Sequence, residues 1–103
     1  MCIRDSNNTE ALTDALRNMG LDKLDTGDIR NARRYIHSSL KLAKEHRDKS
    51  GELEAEIARL FYEVKVGKGN RDALLRRIEQ LSAETGNRFA MERVKAILQE
   101  APA

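Results

Sequence analysis

Small residues in the first half of the chain stand at the spacing that two closely packed helices need. Gly20 precedes Gly27-Asp28, and the small Ala32 follows shortly after this pair. Glycine within a helix costs roughly 1 kcal/mol against alanine, so Gly20 is expected to have a packing role. The spacing predicts a helix, a tight Gly-Asp turn and a returning helix in which Ala32 lies near Gly20. The alternative is that Gly20 caps a short helix that ends at Met19.

Apolar residues recur at helical spacing along the whole chain, which predicts five helices joined by short turns. An aromatic content of only 4% argues against a strand-rich domain and favours an all-α fold. Thr9 and Asp28 are the predicted N-caps of the first two helices. Breaks are predicted at 48–51, at 67–70 and at Thr85-Gly86. The predicted inward residues are Leu12, Leu16, Met19 and Leu24; Ile29, Ala32, Ile36, Leu40 and Ala43; Leu53, Ile57, Leu60, Phe61 and Val64; Leu74, Ile78 and Leu81; and Ala90, Val94, Ile97 and Leu98.

Six positions of the first hairpin resemble one tetratricopeptide (TPR) repeat: Leu16, Gly20, Gly27, Asp28, Ala32 and Leu40. Residues 51–85 echo this unit more weakly, with Ala58 in the place of Gly20. The pattern departs from the family at Lys23 and Ile36, where aromatic residues are common. The resemblance implies antiparallel helical hairpins stacked as a short TPR-like solenoid. Its parts would be two units at about 9–45 and 51–85, a cap helix at about 87–100 and a tail at 101–103.

The same resemblance implies a function, a protein–protein interaction scaffold within a larger regulatory protein. The first helix of each TPR hairpin lines a groove that holds a protein or peptide partner. Tyr62, beside Arg59, is the best single contact candidate; alternatively, its ring packs at the hairpin edge with the hydroxyl in water. Another possibility is the sensory or regulatory tail of a cyclase, kinase or transcription regulator. The groove residues implied by position are Asp14, Arg17, Leu21, Glu52, Arg59, Tyr62 and Glu63.

Basic residues on the second and fourth helices raise a second alternative, a nucleic-acid-binding helical domain. The second helix carries Arg30, Arg33, Arg34, Lys41 and Lys44. The net charge is only +2, however, and no aromatic residues are interleaved for base stacking. We therefore interpret the basic side as a solubilising surface and do not expect nucleic acid as the partner.

The sequence shows no arrangement typical of an enzyme, a cofactor site or a metal site. His37 and His46 stand nine residues apart, whereas a helical metal pair prefers three or four. The stretch at 67–70 (GKGN) lacks the spacing of a phosphate-binding loop and follows a helix. Several glutamates of the third helix are expected mostly off its apolar stripe. No apolar run approaches the ~18–20 residues that span a bilayer, so no membrane association is expected.

The first six residues, MCIRDS, resemble the translation of a transposase-based sequencing adapter. On this interpretation the natural chain begins upstream of Asn7, and Cys2, the only cysteine, is not native. A chain without thiols weakly favours the cytoplasm. A severed array should also present apolar residues that once met a preceding repeat, with Leu12, Met19 and Leu21 as candidates. The isolated chain is therefore expected either to be marginally stable or to self-associate through this face.

Overall fold

Helices make up most of the computed structural model, which describes residues 2–67 and 71–99, with side chains from residue 11 onward. Within these ranges there is no strand, so the all-α prediction and the number of helices are confirmed. The predicted tail at 101–103 and part of the predicted turn at 67–70 lie outside the described residues. The helices are α1 (Cys2–Asp25), α2 (Ile29–Glu45), α3 (Lys49–Val66), α4 (Arg71–Thr85) and α5 (Ala90–Gln99).

The beginnings of two helices differ from the prediction. α1 begins at Cys2, so Thr9 lies inside the helix and is not its N-cap. The segment 2–19 holds neither glycine nor proline, and nothing in it stops a helix from extending. α5 begins at Ala90, three residues after the predicted start at about 87. Asn87 caps the turn before it, since its side chain accepts hydrogen bonds from the backbone N–H groups of Phe89 and Ala90 at 3.0 and 3.1 Å.

Aspartate caps set the entries of the second and third helices. The predicted cap Asp28 accepts a hydrogen bond from the backbone N–H of Asn31 at 3.3 Å, and Gly27 before it has φ = 88°. Asp48 caps α3 in the same way, because its side chain accepts a hydrogen bond from the backbone N–H of Gly51 at 2.9 Å. The residues predicted as a polar break therefore hold the first turn of α3 instead.

Gly20 has the packing role that the spacing predicts. α1 continues to Asp25, so the alternative of a helix ending at Met19 is wrong. A Cβ atom at position 20 would lie 2.7 Å from Cγ1 of Ile36 and 3.2 Å from the backbone oxygen of Ala32. The absent side chain thus lets the backbone of α1 approach α2 at the predicted place.

α3 is the central helix, since it contacts each of the other four. α1 also contacts α2, and α4 contacts α5, whereas α2 and α4 do not touch within the described residues. The apolar core between α3, α4 and α5 contains nearly every inward residue predicted for these helices, with Leu53, Ile57, Leu60, Val64, Leu74, Ile78, Leu81, Ala90 and Val94. This packing is compatible with a helical bundle.

Burial corrects the predicted inward faces at several positions. Leu24 is buried as predicted, but Leu12 and Met19 of α1 remain 51% and 42% exposed, and Thr13 and Gly20 are buried in addition. The exposure of Leu12 and Met19 agrees with the expectation that α1 presents apolar residues. On α3, three of the glutamates that were expected to lie off the apolar stripe are buried. These are Glu52, Glu56 and Glu63.

Candidate functional site

The predicted groove residues do not share one surface. Arg17 and Leu21 line a hollow between α1, α3 and α5. Arg59, Tyr62 and Glu63 line a different hollow between α2 and α3. The structure places the remaining two at neither hollow: exposed Asp14 pairs with Arg17 at 2.9 Å, and buried Glu52 pairs with Arg77 of α4.

The larger of these two hollows, which we call the odd-helix groove, lies along the first, third and fifth helices and measures about 460 Å³. Its apolar surface combines residues from each helix, including the half-buried Leu21, Phe61 and Ile97. Such a mixture of apolar surface with a few charged groups is typical of binding sites. The lining residues are Arg17, Leu21, Asp22, Asp25, Glu54, Ile57, Ala58, Phe61, Arg93, Ala96 and Ile97.

The charges around the odd-helix groove differ in how far they are already paired. Arg93 donates a hydrogen bond of 2.7 Å to Glu54, which raises the pKa of the guanidinium above its ordinary value. Lys65 adds a cation–π contact to the groove aromatic, with its Nζ 5.6 Å from the ring centre of Phe61. Asp22 and Asp25 have no ion-pair partner among the side chains that the structure describes. One end of the groove is therefore acidic and open to a partner's charge.

The second hollow, between α2 and α3, measures about 260 Å³ and is lined by polar groups of both helices. Arg59 forms ion pairs with Glu63 at 3.1 Å and with Glu56 at 3.7 Å, and both carboxylates are buried. Tyr62 is half-buried and lines the same hollow as Arg59. We call this site the basic hollow; its lining residues are Arg33, Ile36, His37, Arg59, Tyr62, Glu63 and Val66.

Two titratable groups near the basic hollow have shifted protonation equilibria. Partial burial lowers the pKa of His37, and the charges of Arg59 and Arg33 lower it further. Burial raises the pKa of the Glu56 carboxyl, and the opposing effect of Arg59 is smaller. Both shifts follow from the cost of holding a charge away from water.

Both histidines of the chain lie on α2 or at its end. His37 and His46 are both exposed, and His46 terminates α2. Over the described part of the chain, no group of three or more His, Cys, Asp or Glu side chains is arranged to hold a metal ion. Nor does any helix in this part have the length and apolar character needed to cross a membrane.

Sequence reasoning missed most of the odd-helix groove for two reasons. The predicted α3 positions lie on a face of the helix nearly opposite to the one that lines the groove, which carries Glu54, Ile57, Ala58 and Phe61. α5 was expected only to cover the last apolar face, but it supplies Arg93, Ala96 and Ile97. The spacing of Ile57, Ala58 and Phe61 was the available signal, since it forms one helical stripe.

Comparisons with protein-family models, with curated proteins and with solved structures give no match for this chain.

Proposed function

We propose that this chain is a protein–protein interaction scaffold that binds a partner segment in the odd-helix groove. The observation that carries the proposal is the groove itself, a hollow of about 460 Å³ to which three helices from different parts of the chain contribute apolar residues. Apolar surface of this kind releases water when a complementary segment covers it, which favours association.

The order of helix contacts supports the TPR-like interpretation of this scaffold. Consecutive helices touch along the whole chain, and α3 also touches α1 and α5. Two stacked hairpins followed by a closing helix would give this order, with the first helix of each hairpin on the same side. The groove lies along those first helices, which is where the TPR resemblance implies a binding surface.

The paired and unpaired charges define the partner chemistry. Leu21, Phe61 and Ile97 offer contacts to an apolar anchor. Asp22 and Asp25 favour a basic residue next to that anchor, because their carboxylates lack ion-pair partners among the described side chains. We therefore propose a partner segment that combines apolar side chains with a lysine or arginine.

Selection from a random-peptide phage library tests this proposal. Peptides enriched on the wild-type chain should carry the apolar and basic residues described above. Their affinity should fall about tenfold or more in Ala96→Glu, because the new carboxylate would stand against the apolar groove. Ala96 is exposed and lines the groove, so this change leaves the core intact.

The matched control is Ala83→Glu, the same substitution at an exposed position of α4 that does not line the groove. It should bind the enriched peptides as the wild type does. Equal binding by both variants and the wild type would place the interaction elsewhere and contradict the proposal. Failure to enrich any peptide would contradict it as well.

A further inference from the structure

Phe89 is the most exposed large apolar side chain in the described part of the chain. It lies in the turn between α4 and α5 with 70% of its surface exposed, and the exposed Arg88 precedes it. Arg88 has no ion-pair partner among the side chains that the structure describes. An aromatic ring beside an unpaired guanidinium is the combination of apolar anchor and cation that suits the odd-helix groove.

Phe89 belongs to the same face of α5 as the odd-helix groove. Its carbonyl accepts a hydrogen bond from the backbone N–H of Arg93 at 3.1 Å, so Phe89 is already in helical register with α5. Residues four and eight positions apart lie on one side of a helix, and Arg93 and Ile97 line the groove. Phe89 itself is not among the residues that line the groove of its own chain. Its ring therefore stands beyond the edge of the groove, where a second molecule can cover it.

The acidic end of the groove lies at the opposite end from Phe89. Helices joined by short turns run antiparallel, so α1, α3 and α5 share one direction along the groove. Phe89 precedes α5, whereas Asp22 and Asp25 lie in the last turn of α1, with Lys23 between them. Both carboxylates are exposed, and the partial negative charge at the end of a helix disfavours them there. A cation supplied from outside would offset that charge.

We propose that two copies of this chain pair through their odd-helix grooves, with Phe89 of each copy as the apolar anchor in the groove of the other. This inference rests on the proposed function of the groove and names its partner segment. When the helices of the two copies run antiparallel, Arg88 of each copy meets the Asp22 and Asp25 end of the other. Anchor and groove share one face, so both contacts form at once and the assembly closes as a two-fold pair.

The other exposed apolar residues fit the groove less well. Leu12 and Met19 have no arginine next to them in the sequence. Ile29 is followed by Arg30, but it lines a shallow surface together with arginines of α2, outside the odd-helix groove. Its insertion into a second copy would not bring the groove of the first copy into contact. Phe89 alone combines the anchor, the adjacent cation and the reciprocal placement.

Sedimentation equilibrium tests the pairing in the Leu12→Gln/Met19→Gln background, which removes the exposed apolar residues of α1 from the comparison. This chain should form a dimer. Phe89→Ala should weaken the dimer about tenfold or more, because a buried aromatic anchor is lost. The ring is exposed in the single chain, so circular dichroism should show an unchanged fold. Ile29→Ala is the matched control and should dimerise as its parent does.

Charge reversal gives a sharper test of the two-fold arrangement. Arg88→Glu should weaken the dimer about tenfold or more, and so should Asp22→Lys/Asp25→Lys. An equimolar mixture of these two variants should pair as tightly as their parent. In the mixed pair the remaining arginine meets the remaining aspartates, and the introduced carboxylate meets the introduced lysines. Arg76→Glu, at an exposed position of α4, should not restore pairing in place of Arg88→Glu. A mixture that stays monomeric would overturn the proposal.

The groove variant separates this inference from the proposed function. Ala96→Glu should prevent pairing, whereas Ala83→Glu should pair as the parent chain does. A monomeric chain that still binds the peptides selected on it, and loses them in Ala96→Glu, would overturn the pairing and leave the proposed function standing. A dimer that persists in Phe89→Ala or Ala96→Glu would place the interface elsewhere and overturn the proposal as well. Growth beyond a dimer would contradict the two-fold closure.

Discussion

Replacing Gly20 with alanine sets two effects of similar size against each other. Alanine has the higher helix propensity, so the substitution should stabilise the interior of α1 by about 1 kcal/mol if nothing else changed. The new Cβ, however, would lie 2.7 Å from Cγ1 of Ile36 and 3.2 Å from two backbone atoms of α2, the oxygen of Ala32 and the nitrogen of Ile36. Which effect is larger decides the sign of the stability change.

The packing conflict should be the larger effect. Ile36 is only 1% exposed and branched at Cβ, so its Cγ1 cannot rotate freely away. The backbone atoms on the other side of the new methyl group belong to a packed helix and move only with it. Overpacking of this kind costs about 1–3 kcal/mol. Three contacts of 2.7–3.2 Å place this site in the upper half of that range. After the propensity gain is subtracted, Gly20→Ala should therefore lower the free energy of unfolding by about 1–2 kcal/mol.

Circular dichroism during urea and thermal unfolding measures this change, and the midpoint temperature should fall by about 5–15 °C. Ala15→Gly, at an exposed position of α1, calibrates the propensity term and should lose about 1 kcal/mol. In an Ile36→Ala background Cγ1 is absent and only the two backbone contacts at 3.2 Å remain, so the same Gly20→Ala change should become clearly less destabilising. A Gly20→Ala chain as stable as the wild type, or more stable, would refute the close approach of α1 and α2.

Three further predictions concern buried charges and the exposed face of α1. Arg77→Ala leaves buried Glu52 without its ion-pair partner and should lower the free energy of unfolding in urea by about 1–3 kcal/mol. The control Arg76→Ala should change it by no more than about 0.5 kcal/mol, and equal losses in both variants would contradict the role of this pair. Glu56→Gln should gain stability relative to the wild type as pH rises. The pKa of the Glu56 carboxyl is raised in the folded state, so the wild type loses stability between the unfolded-state pKa and the folded-state pKa, whereas glutamine does not titrate. A stability difference that stays constant from about pH 4 to 8 would contradict this. Because Leu12 and Met19 expose apolar surface on α1, sedimentation analysis should show self-association that increases with protein concentration. The double variant Leu12→Gln/Met19→Gln should associate less, and a wild-type chain that stays monomeric at all concentrations would contradict this prediction.

The helices and their turns were predictable because local chemistry determines them. Asp28 caps α2 through its own side chain, and Gly67 and Gly86 end α3 and α4 with positive φ. The approach at Gly20 was predictable too, since a glycine inside a helical pattern requires a neighbour that needs the space. Thr9 shows the limit of this reasoning. A residue that can cap a helix does so only where the helix would otherwise stop, and the preceding segment continues it.

The candidate sites were less predictable because they depend on how the helices are rotated and packed. Arg59, Tyr62 and Arg17 are all exposed or half-buried, as a binding residue must be, but packing directs them to two different hollows. The rotation of α3 about its own axis decides which of its faces meets α1 and which meets α2. Spacing along a single helix carries no information about that rotation, which results from contacts with all four neighbouring helices.

α3 shows what a centrally placed helix looks like in a sequence. Its large apolar residues form a stripe in the core with α4 and α5, from Leu53 to Val64. A second stripe contains the small residues Gly51, Ala55 and Ala58, and a Cβ at Gly51 would lie 3.4 Å from the Cβ of Ala43, so α2 packs closely there. The third stripe carries the buried glutamates, which pair with arginines from two helices: Arg77 with Glu52, and Arg59 with Glu56 and Glu63.

A helix at the surface needs only one apolar face, whereas these three stripes leave few positions of α3 for water. The buried glutamates follow from the same geometry. A helix surrounded by four others must bury its polar face along with its apolar ones, and each carboxylate then requires a cation nearby to offset its desolvation. The charged stripe and the small-residue stripe are therefore the two signals that distinguish a central helix from a peripheral one, and neither is visible when apolar periodicity alone is read.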